Sequence, residues 1–328
     1  MITAKAWCRV DLAGGTLDIW PLGLFHPGAR TVNVALDLAV TVRMARSDGP
    51  YRVRQGESRV EAASAADLSR LPEGALVGVV AEHLELPPFD LELASDSPRG
   101  GGLGGSSAMV VALIAAAEEA FGLPRTGARE RAHLARDLEA RLMSLPTGIQ
   151  DHYPALLGGA LEILARPGGE AVRSLDVDLE ALGESLLVVY SGQSHFSAGQ
   201  NWQVVRRRLE GEPEVTALFA GIAEVAAEIP AALEAGDFQR AGELMGREWE
   251  HRRRLADGID TPVLEELARL ALAAGAWGGK ACGAGGGGCL TFLCPPDRKA
   301  EIASRLQEAG GLPLRARPTR EPLLLSVS

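Results

Sequence analysis

Ser97-Pro98-Arg99-Gly100-Gly101-Gly102-Leu103-Gly104-Gly105-Ser106-Ser107-Ala108 puts five glycines in six positions, between an alternating apolar segment and a run of small apolar residues. Upstream, Phe89, Leu91 and Leu93 share one face of a strand over 89–94. Downstream, 106–121 contains no turn former, a serine stands where an N-cap belongs and Gly122 follows as a stop, which predicts a buried helix. Glycines in such a loop let the backbone approach an anion, and the unpaired amides of the helix start point toward it.

Gly100, Gly102 and Gly105 formally satisfy G-x-G-x-x-G, a weak pattern on its own. A dinucleotide unit would continue into a parallel strand ending in an acid about twenty residues on. Here a second helix follows instead, over 128–143, with Leu134, Leu138 and Leu142 at four-residue spacing and Pro146 ending it. No Gly-Lys-Ser/Thr closes the glycine run, which excludes a Walker A loop. A merely tight turn accounts for one or two glycines, not five in six.

Outward from the loop, strands are expected over 5–12 and 31–45, and again over 186–190. Amphipathic helices are expected over 200–209, 214–235, 237–255 and 262–274, and the chain ends as strand, glycine loop, strand, helix, strand. Without strict β-α alternation this is an α+β protein, with a boundary near Gly183 between units 1–183 and 184–328.

The 328 residues, 46% of them hydrophobic, suffice for two ordinary cores. Cys8, Cys282, Cys289 and Cys294 are too sparse for a disulfide framework and form no C-x-x-C metal pattern, so a reducing cytoplasmic setting is expected. Residues 1–10 lack the features of a signal peptide, and no stretch reads as long enough to span a bilayer. A formal net charge of −10 argues against nucleic-acid and anionic-membrane partners, and the Arg206–Arg208 run reads as a solvated helix face. Lysine occurs only at positions 5, 280 and 299, which makes Lys280 conspicuous.

Three segments carry a family resemblance. Residues 98–108 resemble the second motif of the GHMP kinases, the family named for galactokinase, homoserine kinase, mevalonate kinase and phosphomevalonate kinase, and the Gly-Gly-Leu-Gly-Gly-Ser-Ser-Ala form is similar to that of its heptose-phosphate and fucose kinases. Arg9-Val10-Asp11-Leu12-Ala13-Gly14-Gly15-Thr16-Leu17-Asp18 resembles the first motif. Lys280-Ala281-Cys282-Gly283-Ala284-Gly285-Gly286-Gly287-Gly288 resembles the third. The resemblance implies a two-domain fold, a ribosomal-protein-like N-terminal domain and a ferredoxin-like C-terminal domain, with ATP and Mg²⁺ as cofactors.

Site residues follow from the same resemblance. ATP would be cradled by Pro98, Gly100, Gly101, Gly102, Leu103, Gly104, Gly105, Ser106, Ser107 and Ala108, supported by Gly285 and by the charge of Lys280. Ser107 and Glu139 would hold Mg²⁺; otherwise one serine is an N-cap and Glu139 a solvated helix residue. Thr147-Gly148-Ile149-Gln150-Asp151-His152-Tyr153 resembles the family's aspartate loop, which makes Asp151 the general base, or else a helix cap before Pro154. Arg9 would keep Asp151 ionised and help neutralise the transferring group. Asp18, nine residues after Arg9, would accept hydrogen bonds from sugar hydroxyls, and His195 would contact the substrate. The expected activity is phosphorylation of a sugar, at the anomeric hydroxyl of a hexose or heptose, including heptose 7-phosphate. The alternatives are a mevalonate-type hydroxy-acid kinase and, in another class, an inactive kinase-like binding protein. A homodimer is compatible with the sequence.

Overall fold

In the computed structural model, residues 1–194 and 198–327 are described. The apolar alternation near the N-terminus produces two long antiparallel strands, Ile2–Ala13 and Arg30–Arg46, paired from Ile2↔Met44 to Ala13↔Val32. Their register shifts between Trp7 and Arg9 and again between Asp11 and Ala13. Such bulges re-aim side chains, and here the alternation of burial stops, leaving Arg9 and Asp11 buried with the apolar residues around them.

These strands anchor an eight-stranded sheet in the order Leu324–Val327, Ile2–Ala13, Arg30–Arg46, Phe89–Ser95, Tyr51–Gln55, Ser58–Ala62. The hairpin Ala160–Arg166 and Gly169–Ser174 joins through the first half of Arg30–Arg46. A second, four-stranded antiparallel sheet has the order Leu312–Pro313, Leu186–Tyr190, Cys289–Leu293, Gly278–Ala281. Gly183 lies in the helix Leu179–Ser185, directly before the first strand of this sheet, and the last strand of the chain returns to the larger sheet.

The helix Gly105–Phe121 packs on the two long strands through residues such as Ala108, Ala112 and Ala116, whose small side chains permit close approach. Its N-cap is Gly104 at φ 72°, a left-handed conformation suited to glycine, and no side chain caps it, so the serine cap expected from the sequence is not formed. Sequence reading also passed over the hairpin Tyr51–Gln55 and Ser58–Ala62 and the helix Ala75–His83. The strands are only five residues each, and the helix is a short continuous apolar run whose period is not diagnostic.

The helix Pro213–Glu234 does reach bilayer-spanning length, with 22 residues and a mean hydropathy of 1.5 in its most apolar window, contrary to expectation. Its apolar residues are occupied within the fold: Leu218, Phe219 and Ile222 enter the core of the smaller sheet, and Val225, Ile229 and Leu233 enter that of the larger one. The core of the larger sheet therefore includes side chains from both sides of residue 183. Ile229→Ala should cost about 2–5 kcal/mol through the cavity it leaves, and urea unfolding followed by tryptophan fluorescence should show one shifted transition. A resolved first transition confined to one half would show that this shared cluster does not couple the two.

Candidate active site

The glycine loop is held by its carbonyl oxygens. Gly101 O accepts from Cys289 N at 2.9 Å, Gly102 O from Arg9 Nη1 at 2.6 Å and Leu103 O from Arg9 N at 2.9 Å. With the carbonyls drawn into the protein, the backbone N–H groups of Gly102, Leu103, Gly104, Gly105, Ser106 and Ser107 have no partner among the described residues. Six consecutive free donors at a helix N-terminus form an anion cradle. The loop lines a cleft of about 1030 Å³ whose other walls include Leu76, Met109, Asp18 and Asp151.

Asp151 immediately precedes the helix His152–Leu157 but its side chain does not cap it. Its Oδ1 instead accepts from Arg9 Nε at 2.8 Å and Nη2 at 2.5 Å, leaving Oδ2 without a hydrogen bond among the described residues. Arg9 is only 2% exposed; burial opposes its charge, but Asp151 and Asp11 keep the guanidinium protonated. The carboxylate lies beside the loop, since a Cβ on Gly104 would stand 3.3 Å from Asp151 Cβ.

Asp18 faces the same end of the cleft. Its Oδ2 accepts from Gln150 N at 2.9 Å, and withdrawal from water, with the charge of Asp151 nearby, raises its pKa above the usual carboxylate value. Gly148 makes room for it: a Cβ there would fall 1.9 Å from Asp18 Oδ2. The 147–151 loop thus supplies Asp151 and seats Asp18.

Glu139 is buried and open to the cleft, not solvated on a helix face. One carboxylate oxygen accepts from Ser106 Oγ, the other from Ser107 Oγ at 2.7 Å, so neither serine is an N-cap. His152 Nε2 lies 2.8 Å from Glu139 Oε2. Burial alone would raise the Glu139 pKa, but His152 and the two hydroxyls lower it below the ordinary value, and the same pairing raises that of His152. His152 stands in the aspartate-loop segment, and only its contact with Glu139 shows the role of its side chain. Ser107 is buried and Ser106 exposed in the cleft, so both hydroxyls belong to this oxygen cluster.

The third glycine segment rests against the first loop, with Gly283 so close that a Cβ would lie 3.2 Å from Gly102 O, and Gly285 lines the cleft. Lys280 is placed otherwise than expected. It is fully buried, its ammonium pairs with Asp11 Oδ2 and lies 3.5 Å from Glu248 Oε2, and it does not line the cleft. An ammonium so enclosed is neutralised inside the protein and adds no charge at the loop. Ala108 also stays out of the cleft, buried in the helix interface. His195 lies outside the described residues.

Comparison with known proteins gives the family and the fold. Residues 71–159 match the family described as GHMP kinases N terminal domain and residues 230–312 that described as GHMP kinases C terminal. The chain is 30% identical over 231 residues to the D-glycero-alpha-D-manno-heptose 7-phosphate kinase of Campylobacter jejuni, covering 68% of this chain and 66% of that protein. It is 32% identical over 241 residues to the mevalonate kinase of Pyrococcus horikoshii, covering 72% and 68%. Among solved structures, a D-glycero-D-manno-heptose 1-phosphate kinase from Bacteriodes thetaiotaomicron superposes with a TM-score of 0.78 at 23% identity, over 100% of this chain and 99% of that one.

Gly102 has φ 71°, and a Cβ there would lie 2.5 Å from Cys282 O. Gly102→Ala should therefore pay about 1–2 kcal/mol for the left-handed conformation alone and displace the loop from its support. Calorimetric titration with a non-hydrolysable ATP analogue should show affinity reduced about tenfold or more. Unchanged affinity in a folded variant would mean that the loop does not carry the nucleotide.

Proposed function

We propose that this chain, which belongs to the GHMP kinases, transfers the terminal phosphoryl group of ATP to a hydroxyl of a sugar. The observation that carries this reading is the row of six backbone N–H groups, Gly102 to Ser107, unpaired among the described residues and set beside the Arg9–Asp151 pair. Phosphoryl transfer asks a protein mainly to position two substrates and neutralise charge. The loop amides hold the phosphates. Asp151 Oδ2 accepts the proton of the acceptor hydroxyl as its oxygen bonds to phosphorus and ADP departs. Arg9 orients Asp151 through Oδ1 and places a positive charge beside the loop.

The Ser106, Ser107 and Glu139 oxygens fit Mg²⁺, being hard donors with the carboxylate held ionised beside His152. Ser107 and Glu139 would hold the ion, which when bound supplies positive charge to the phosphate oxygens.

The part of the acceptor beside Asp18 and Asp151 is best a neutral polyol, any charged group lying elsewhere on the molecule. Asp18 and Asp151 both face it, and the buried cation there, Arg9, is already engaged by Asp151. A short hydroxy acid would bring its negative charge close to these two carboxylates, whereas a sugar places hydroxyls there that can donate to Asp18, with any phosphate at its far end. We assign the anomeric hydroxyl of a hexose or heptose, free or phosphorylated elsewhere, as the acceptor. The second reading, a hydroxy-acid kinase, rests on the similarity to the Pyrococcus mevalonate kinase.

Two measurements decide between them. In a coupled ADP-release assay over free and phosphorylated hexoses and heptoses with mevalonate alongside, a sugar should stimulate turnover and mevalonate should not, and Asp18→Ala should raise the acceptor KM while leaving that for ATP unchanged. Turnover of mevalonate alone would overturn the sugar assignment. With the active acceptor, Asp151→Asn should lower kcat by about 10²-fold or more, the usual cost of a lost general base, while ATP affinity is retained; near wild-type kcat would remove Asp151 from that role.

A further inference from the structure

The strand Ile2–Ala13 ends in a turn that delivers Asp18 to the cleft, and this turn is conformationally unfavourable. Thr16 has φ 74°, a region that β-branched residues avoid. Leu17 N and Ile19 N close the local turn, and the side chain that holds Thr16 itself comes from more than 230 positions away. Arg252 Nη1 donates to Thr16 Oγ1 at 3.0 Å and Nη2 to Gly15 O at 2.5 Å. Glu248, one turn earlier on the helix Phe238–Arg252, accepts from Arg252 Nε at 3.0 Å and Nη2 at 2.7 Å and from Gly14 N at 3.3 Å.

The clamp continues to the third glycine segment, which also lines the cleft. Lys280 lies between Glu248 and Asp11, and Asp11 Oδ1 accepts from Gly283 N at 3.0 Å in the segment that supports the glycine loop. Asp11, Glu248, Arg252 and Lys280 are all at most 1% exposed, balance as two anions and two cations, and none of them lines the cleft. A hydrophobic set of similar volume would be no less stable in such a place, but it could not donate to the carbonyl and hydroxyl of a strained turn.

We propose that Arg252, oriented by Glu248, is a positioning residue for the acceptor, its guanidinium fork holding the Gly14–Thr16 turn in the conformation that aims Asp18 into the cleft. This rests on the assignment of Asp18 to acceptor binding. The action is indirect: Arg252 touches neither nucleotide nor acceptor, and its effect is read through Asp18. It is also geometric, because lysine would keep the charge opposite Glu248 but cannot donate in a planar fork to Gly15 O, Thr16 Oγ1 and Glu248 together.

The test is Arg252→Lys in the full-length protein, read by hydrogen exchange without substrate and then by kinetics. The amides of Leu17 and Ile19, which donate to Gly14 O and Thr16 O at 3.1 Å each, should exchange about tenfold faster, with exchange in the helix Gly105–Phe121 unchanged. The acceptor KM in the sugar assay should rise about tenfold with the ATP KM within about twofold of wild type. Unchanged protection at Leu17 and Ile19, an unchanged acceptor KM, or a uniform loss of protection across the molecule would each overturn the positioning role. If Arg252→Lys does not fold, Thr16→Val keeps the β-branched shape and replaces only the hydroxyl that Nη1 donates to, and it must expose the same two amides or the proposal falls. Exchange requires no acceptor, so loss of protection in a protein that phosphorylates no sugar would sink the sugar assignment and leave the positioning of Asp18 standing.

Discussion

One buried guanidinium organises the cleft. Arg9 donates to Gly102 O at 2.6 Å and to Asp151 Oδ1 at 2.8 and 2.5 Å, and its own backbone N–H holds Leu103 O. An anion cradle made of amides requires the carbonyls of the same peptides to be satisfied elsewhere. Arg9 meets that requirement and presents Asp151 to the cleft in the same geometry. A lysine would place a charge there but could not make both contacts in fixed directions. Loop conformation and the placement of Asp151 are therefore one structural fact.

Charge burial recurs around this centre, always with partners. Asp11 is held ionised against its burial by Lys280, Arg9 and Arg252, and Glu139 against its own by His152 and two hydroxyls. Removing one member of such a set leaves an uncompensated charge in a poor dielectric, which costs far more than the intact pair contributes. The interior is otherwise apolar close to the loop: Cys8 and Cys282 thiols, pushed up by burial to about 11 and about 12, and Cys289 are small neutral side chains beneath it. A Cβ on Gly101 would already touch Cys289 Sγ at 3.4 Å, so larger residues there would lift the loop.

The second sheet contributes to the site through its loop more than through its strands. Cys289 N and Gly283 approach the glycine loop from Gly278–Ala281 and Cys289–Leu293, and the helices Pro213–Glu234 and Phe238–Arg252 lock that sheet to the first. Motifs more than 270 residues apart in sequence, at Arg9 and at Gly285, meet in one cleft because both sheets bury side chains against the same two helices.

The sequence alone determined what short-range patterns can encode. The glycine run between an alternating strand and an apolar helix dictated a loop able to bind an anion; Arg9, Asp18 and Asp151 were legible because each sits in a motif, and Glu139 as a carboxylate on the helix before the aspartate loop. The long strands and helices were legible for the same reason, since periodicity accumulates over many residues. Only the tertiary structure decided the partners. That Ser106 and Ser107 turn to Glu139 instead of capping their helix, that His152 backs Glu139, and that Lys280 is enclosed by Asp11 and Glu248 all depend on side chains brought together from distant segments. Glu248 and Arg252 carry no signal at all in an amphipathic helix pattern, where glutamate and arginine at four-residue spacing read as a solvated pair. Their burial, and with it their hold on Thr16, exists only once the fold closes over them, because desolvation and hydrogen-bond geometry are properties of the assembled environment and not of residue type.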